Sequence, residues 1–148
     1  MKKTFLLLLV LFVSLYSHAQ EQQIDSILTN LSVSYEKIKD HKAYELYELH
    51  IKQPIDHADT SKGFFHQKVY LSHKSFASPT VIVTSGYDVN QIYNSELTSL
   101  LEANQILVEH RYFGESMPDS MDYRFLNLKQ ATAILMKNIT YSKKKDDN

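Results

Sequence analysis

The chain has 148 residues, 43% hydrophobic and 22% charged, with a formal net charge of −1. That balance suits a globular domain and supplies no electrostatic footprint for nucleic acid or an anionic membrane. With no cysteine, disulfides, thiolate metal sites and a cysteine nucleophile are excluded.

The first residues read as a targeting segment. Met1-Lys2-Lys3 gives a positive end, Phe5 to Leu15 an apolar run, and Ser17-His18-Ala19 the small residues a signal peptidase needs. Residues 1–19 are therefore expected to be a cleaved signal peptide, too short to span a bilayer. The remainder is expected to be secreted or periplasmic, with no membrane association after cleavage. From Gln20 to Lys42, Ile24, Ile27, Leu28, Leu31, Tyr35 and Ile38 fall on one face at helical spacing. This predicts an amphipathic lead-in helix over 20–42.

Two alternating stretches follow, Ala43–Lys52 and Phe64–Ser72, in which Gln67 interrupts the apolar face. They predict an antiparallel hairpin. The connecting loop carries Pro54, Asp56, His57, Asp59 and Gly63, residues first of all suited to turns. His41, His50, His57, His66 and His73 show no i, i+4 pair of the kind zinc sites use. Thr80-Val81-Ile82-Val83-Thr84 is β-branched without alternation and predicts a central strand buried on both faces. It runs into Ser85-Gly86-Tyr87, where glycine permits a sharp turn or close approach to a ligand.

Asn94 to Asn104 reads as a short helix capped by Asn94 or Ser95, with Leu97, Leu100 and Leu101 as its buried stripe and Asn104 as a left-handed end. The apolar run Ile106-Leu107-Val108 predicts the next strand. Strand, helix and strand form a βαβ unit whose two strands, 80–84 and 105–109, lie parallel in one sheet. A further helix begins near Leu126, Leu128 and Ala131, and from Ile134 the chain becomes a polar tail.

Val108-Glu109-His110-Arg111-Tyr112-Phe113-Gly114-Glu115-Ser116-Met117-Pro118 is the most specific string in the chain. It resembles the acidic-x-Arg-x-x-Gly-x-Ser segment that follows the fourth strand of α/β-hydrolases. Its His-Arg-Tyr-Phe-Gly-Glu-Ser form is similar to secreted serine peptidases of the bacterial prolyl tripeptidyl aminopeptidase family, and more distantly to lysosomal Pro-X carboxypeptidases. Gln53-Pro54-Ile55-Asp56-His57, Phe64-Phe65-His66-Gln67 and Leu126 to Ala133 also resemble that family, over roughly Tyr44 to Ala133.

The resemblance implies an α/β class, the N-terminal part of an α/β-hydrolase fold with an incomplete sheet. It implies a partial peptidase domain over 43–133, a divergent tail over 134–148, a peptide substrate, and neither cofactor nor metal. Gly86 and Tyr87 sit where such enzymes place the oxyanion loop. Glu109, His110, Arg111, Gly114, Glu115 and Ser116 are expected to brace the sheet edge. The serine elbow Gly-x-Ser-x-Gly occurs nowhere in the chain, and an acidic residue expected after Ala133 is replaced by Ile134. The catalytic Ser, Asp and His are thus expected beyond residue 148, and the chain is expected to be a shortened, inactive front part of an aminopeptidase. The alternative is a small exported binding protein built on the same half-sheet.

Overall fold

The computed structural model describes residues 24–31, 33–41 and 44–133; the expected signal peptide and tail lie outside the described residues. Residues up to Ser34 and residues from Tyr35 onward make two separate units. In the first, residues 24–30 form a helix, α1, with Ile24 and Leu28 buried. No helix among the described residues is long and apolar enough to cross a membrane.

The second unit is built on a mixed sheet. Its strands are β1 (Ser34–His41), β2 (Tyr44–Pro54), β3 (Phe64–His73), β4 (Thr80–Thr84) and β5 (Asn104–Val108), in the spatial order β1-β2-β3-β5-β4. The expected hairpin forms, β2 antiparallel to β3 with Leu49 opposite Val69. The expected βαβ unit also forms, β4 parallel to β5 with Ile82 opposite Ile106. β5 lies antiparallel to β3, so the sheet is mixed. Helix α2 (Glu96–Leu100) makes the crossover, and a further helix, α3, covers 128–133.

Pleating divides the side chains between two faces. Tyr47, Leu49, Val69 and Val108 lie buried on one. Tyr70 and Leu107 lie on the other, where Val89 from the β4–α2 connection joins them and Ile38, Val83 and Ile92 pack around. Burying a side chain as completely as Leu107 stabilises by about 1.5–3 kcal/mol.

Three expectations are corrected. The lead-in helix does not continue to 42, because residues 34–41 are a strand. Tyr35 stands edge-on to Tyr47, with ring centroids 6.1 Å apart, and Lys37 lies over the same ring. Ile38 turns instead to the Tyr70–Leu107 cluster. The period-2 split satisfies both faces of a sheet, and this packing overrides the helical stripe.

The second correction concerns β4, which among the described strands lies at the end of the order and not in its middle; Val81, Ile82 and Val83 are only half-buried. Its β-branched run fixes strand propensity but not its place in the order.

The third concerns α2. Leu97 and Leu100 are 53% and 80% exposed, and Thr98 is the buried residue. Ser95 caps the helix as expected, its Oγ accepting the Thr98 N–H at 3.1 Å. The Thr98 hydroxyl then donates to Gln105 Oε1 at 2.7 Å. This polar clip fixes the rotation of a helix only five residues long. Asn104 begins β5 rather than ending α2; the left-handed residue is Glu102, φ 49°.

Candidate functional site

The β4 and β5 strands deliver their following loops to one end of the sheet. Ser85 N–H donates to the Val108 carbonyl at 2.9 Å, and His110 N–H donates to the Tyr87 carbonyl at 3.2 Å. The two stretches singled out by sequence, 85–87 and 109–116, are thereby tied together. A cleft of about 260 Å³ opens there, lined by Ser85, Gly86, His110 and Arg111 on the sheet side and by Leu128 and Thr132 on α3.

Gly86 and Tyr87 are exposed, Tyr87 to 69%. A Cβ on Gly86 would meet nothing within 4 Å, so the fold itself does not demand glycine there. The Tyr87 N–H donates to Ser85 Oγ at 3.2 Å, a local turn bond. The Tyr87 ring packs edge-on against Phe113, and His110 packs on Phe113 from another side.

Glu109 is the organising residue of the second loop. It is buried, and its carboxylate accepts from Val89 N–H at 2.9 Å, Glu115 N–H at 3.0 Å, Ser116 N–H at 3.0 Å and Ser116 Oγ–H at 2.8 Å. Those bonds satisfy a buried carboxylate that would otherwise be costly. Gln67, the residue that interrupted the apolar alternation, is buried and donates to the Glu109 carbonyl at 2.8 Å.

Ser116 is completely buried. Its Oγ also accepts the Lys68 N–H at 3.0 Å. A fully buried hydroxyl spent on a carboxylate and a strand backbone is a brace, with no access for a substrate to make it a nucleophile.

Arg111 is buried as well. Its Nη2 donates to the Ile55 carbonyl at 2.5 Å, and its guanidinium lies 5.3 Å from the Phe65 ring centroid and 5.4 Å from that of Tyr112. Burial pulls its pKa below the ordinary value, against the opposing influence of Tyr112 and Asp56. It ties the β2–β3 loop to the sheet. His110 Nδ1 lies 2.8 Å from the Arg111 carbonyl. Tyr112 holds φ 70° in the left-handed region and its hydroxyl donates to the Asp122 carbonyl at 2.9 Å.

Asp56 and Asp59 serve turns, as their composition suggested: Asp56 accepts from Ala58 N–H and Asp59 from Ser61 N–H. Gln130 of α3 reaches back to the same loop, donating to Asp56 at 2.6 Å and accepting the His57 N–H at 2.9 Å. Sequence reasoning missed Gln130, Asn104 and Gln105, buried amides that clip loops to the sheet. A polar amide at a position otherwise suited to an apolar residue was the available signal.

Glu48, His50 and Glu115 offer ligand atoms within 4.8 Å of one another. The Lys68 ammonium already lies 2.5 Å from Glu115 and 4.0 Å from Glu48, and this matches their charge. Burial acts to lower the Lys68 pKa, but the Glu115 bond, with help from Tyr70 and Glu48, outweighs it and the net shift is upward. The same bond holds the Glu115 carboxyl below its ordinary value of 4.5.

A depressed carboxylate contributes stability above its ordinary value and loses it as pH falls through the folded value. The advantage of wild type over Glu115→Gln in melting temperature is therefore expected to be full at neutral pH and to close below 4.5. An advantage that stayed constant from neutral to acid pH would contradict this assignment.

Residues 19–144 match the family described as PS-10 peptidase S37. Over 110 residues, 74% of this chain, the sequence is 34% identical to the prolyl tri/tetrapeptidyl aminopeptidase of Streptomyces mobaraensis. The aligned stretch amounts to 23% of that relative, so the chain spans about a quarter of the length of the curated protein it matches. The family match takes in the hairpin, the βαβ unit and the whole Glu109–Ser116 brace, and the chain belongs to the PS-10 peptidase S37 family.

Proposed function

We propose that this chain supplies the amino-terminal sheet and the oxyanion side of a secreted serine-type aminopeptidase with an α/β-hydrolase sheet. The domain limits are assigned as 1–19 for the signal peptide, 43–133 for the partial peptidase domain and 134–148 for the tail. The observation that carries the reading is the unhindered Gly86 beside the cleft at the ends of the parallel strands. Open α/β sheets bind ligands at the carboxyl ends of their strands.

In peptide-bond acyl transfer a serine attacks the carbonyl, a histidine accepts its proton, and backbone N–H groups hold the developing oxyanion. One such donor is worth about 3–4 kcal/mol in a comparable enzyme. The Gly86–Tyr87 turn is assigned to that task, with the Tyr87 N–H released from Ser85 Oγ by the stronger charged acceptor. Glu109, Arg111, Gly114 and Ser116 keep the neighbouring loop rigid, and His110 holds the Tyr87 carbonyl through its backbone N–H. No Gly-x-Ser-x-Gly elbow is encoded in the 148 residues, so the nucleophile and its partners are assigned to residues outside this sequence. The chain by itself is proposed to be inactive.

The test grafts residues 44–133 into the Streptomyces mobaraensis relative in place of its corresponding segment. The chimera is expected to keep peptidase activity toward that enzyme's substrates, and the isolated chain to remain unlabelled by a serine-reactive phosphonate. In the chimera, Gly86→Ala is expected to leave the melting temperature unchanged, since its Cβ enters open space. It is expected to lower kcat/KM by about 10²-fold by displacing the substrate carbonyl. A folded but inactive chimera, or full activity in the Gly86→Ala chimera, would sink the assignment.

A further inference from the structure

Resting on the assignment of the Gly86–Tyr87 turn as an oxyanion donor, we infer that Glu109 is the positioning residue for that turn and acts through the Val89 N–H. The segment after β4 is tethered at every second residue. Ser85 N–H donates to the Val108 carbonyl at 2.9 Å, and the Tyr87 carbonyl accepts from His110 N–H at 3.2 Å. Val89 N–H donates to Glu109 Oε2 at 2.9 Å. The first two are backbone bonds that no exchange of a side chain removes. The third runs to a side chain, so of the three it is the tether that residue identity controls.

That tether closes the far end of the turn, two residues beyond Tyr87, while β4 holds the near end. The Val89 side chain is buried against Tyr70 and Leu107. Apolar packing is non-directional, so it fixes the depth of residue 89 but not the tilt of its peptide plane. The bond to Glu109 is directional and sets the tilt.

Glu109 is itself held still. Its N–H donates to the Lys68 carbonyl at 3.2 Å, and its carbonyl accepts from the Gln67 side chain at 2.8 Å, so both backbone groups are fixed on β3. The residue is 1% exposed. Its two oxygens are divided between two loops. Oε1 accepts from Glu115 N–H, Ser116 N–H and the Ser116 hydroxyl, and Oε2 accepts from Val89 N–H. All four partners donate, so both oxygens have to accept, which a carboxylate does and an amide of the same shape does not.

Glu109→Gln therefore separates the two tasks. The amide oxygen is drawn to the side with three donors, and the NH2 then faces the Val89 N–H, donor against donor. The brace on Ser116 is kept and the tether on Val89 is lost. An oxyanion donor acts on charge that develops in the transition state, so its displacement lowers kcat and leaves KM alone.

In the 148-residue chain, Glu109→Gln is expected to speed hydrogen exchange at the Val89 amide about tenfold or more and to shift the Gly86 and Tyr87 amide resonances. The Glu115 and Ser116 amides are expected to stay protected, which reports an intact fold. Ser116→Ala, which acts on Oε1, is expected to leave the Val89 amide protected. In the grafted relative, Glu109→Gln is expected to lower kcat by about tenfold to a hundredfold per active serine titrated with the phosphonate, with KM held within about twofold. Partial unfolding would instead lower the number of titrated serines and leave kcat per site unchanged.

An active graft whose kcat per site is unaltered by Glu109→Gln overturns the positioning role and leaves the peptidase reading standing. An unsubstituted graft without activity overturns the peptidase reading and the role built on it, even where the Val89 tether is found. Should the variant fail to fold, the unsubstituted chain gives the answer. Its Val89 amide is expected to exchange as slowly as that of Ser116, since both rest on one carboxylate, and rapid exchange at Val89 overturns the inference.

Discussion

Replacing Glu109 with alanine is expected to destabilise the domain by about 3–5 kcal/mol, the cost of removing one partner from a buried charged network. The carboxylate is the common acceptor for Val89, Glu115 and Ser116 N–H groups and for the Ser116 hydroxyl. Alanine leaves these donors without an acceptor, and water has no route to the two on Ser116, which is fully buried. Each orphaned buried donor costs about 1–3 kcal/mol, so partial relaxation is already assumed in the figure. A small domain has a total of about 5–15 kcal/mol to lose, so urea unfolding should show a large fall in midpoint.

Ser116→Ala should cost less, about 1–3 kcal/mol, because it leaves the other three donors on Glu109 and orphans only the Lys68 N–H that the hydroxyl accepted. The double variant then separates the terms. In the Glu109→Ala background, Ser116→Ala should cost less than it does alone, since the hydroxyl it removes has already lost its acceptor. Additive costs would mean that the Glu109–Ser116 bond contributes nothing. A Glu109→Ala effect below about 1 kcal/mol, the size of a single ordinary hydrogen bond, would mean that the loop does not depend on the carboxylate.

The elements set by local chemistry were legible in the sequence. The hairpin followed from alternation around Tyr47, Leu49, Val69 and Leu71. The parallel pairing of 80–84 with the next strand, expected at 105–109 and found at 104–108, followed from two apolar runs joined by a capped helix. The loop after β5 stood out because its residue types are unusual together, and Glu109, Arg111 and Ser116 make buried hydrogen bonds there.

What failed depended on partners far along the chain. Residues 34–41 carry a helical stripe, and only Tyr47 and the Tyr70–Leu107 cluster, both distant in sequence, make a strand the better solution. β4 reads as central because a β-branched run reports propensity and not neighbours. The leucines of α2 read as core because Gln105, which turns Thr98 inward, lies on the next strand. At the site, Gln67 shows in the sequence only as an exception to alternation, and its bond to the Glu109 carbonyl explains why a polar group is buried there. Gln130 shows locally only as a polar amide, and its partners Asp56 and His57 are more than seventy residues away.

Gly114→Ala is the substitution with the second largest expected effect, about 2–4 kcal/mol of lost stability from a single methyl group, set by backbone strain and a steric clash together. Gly114 has φ 52°, a conformation that costs an L-residue about 1–2 kcal/mol. Its Cβ would also lie only 2.7 Å from Glu109 Cδ and 2.9 Å from Oε1, well inside contact distance, with Oε2 closer still. A carboxylate on a long side chain usually swings away from such a clash at little cost. This one cannot do so without giving up the bonds to Val89, Glu115 and Ser116.

Gly86→Ala provides the internal control, with no atom near the added carbon and no expected loss of stability. The decisive measurement is again a double variant. With Glu109 already replaced by alanine, the clash is gone, and Gly114→Ala should cost only the backbone share of about 1–2 kcal/mol. If its cost is the same with and without the Glu109 carboxylate, the glycine is required by its backbone angle alone. The close approach of the loop to Glu109 would then have no part in fixing residue 114.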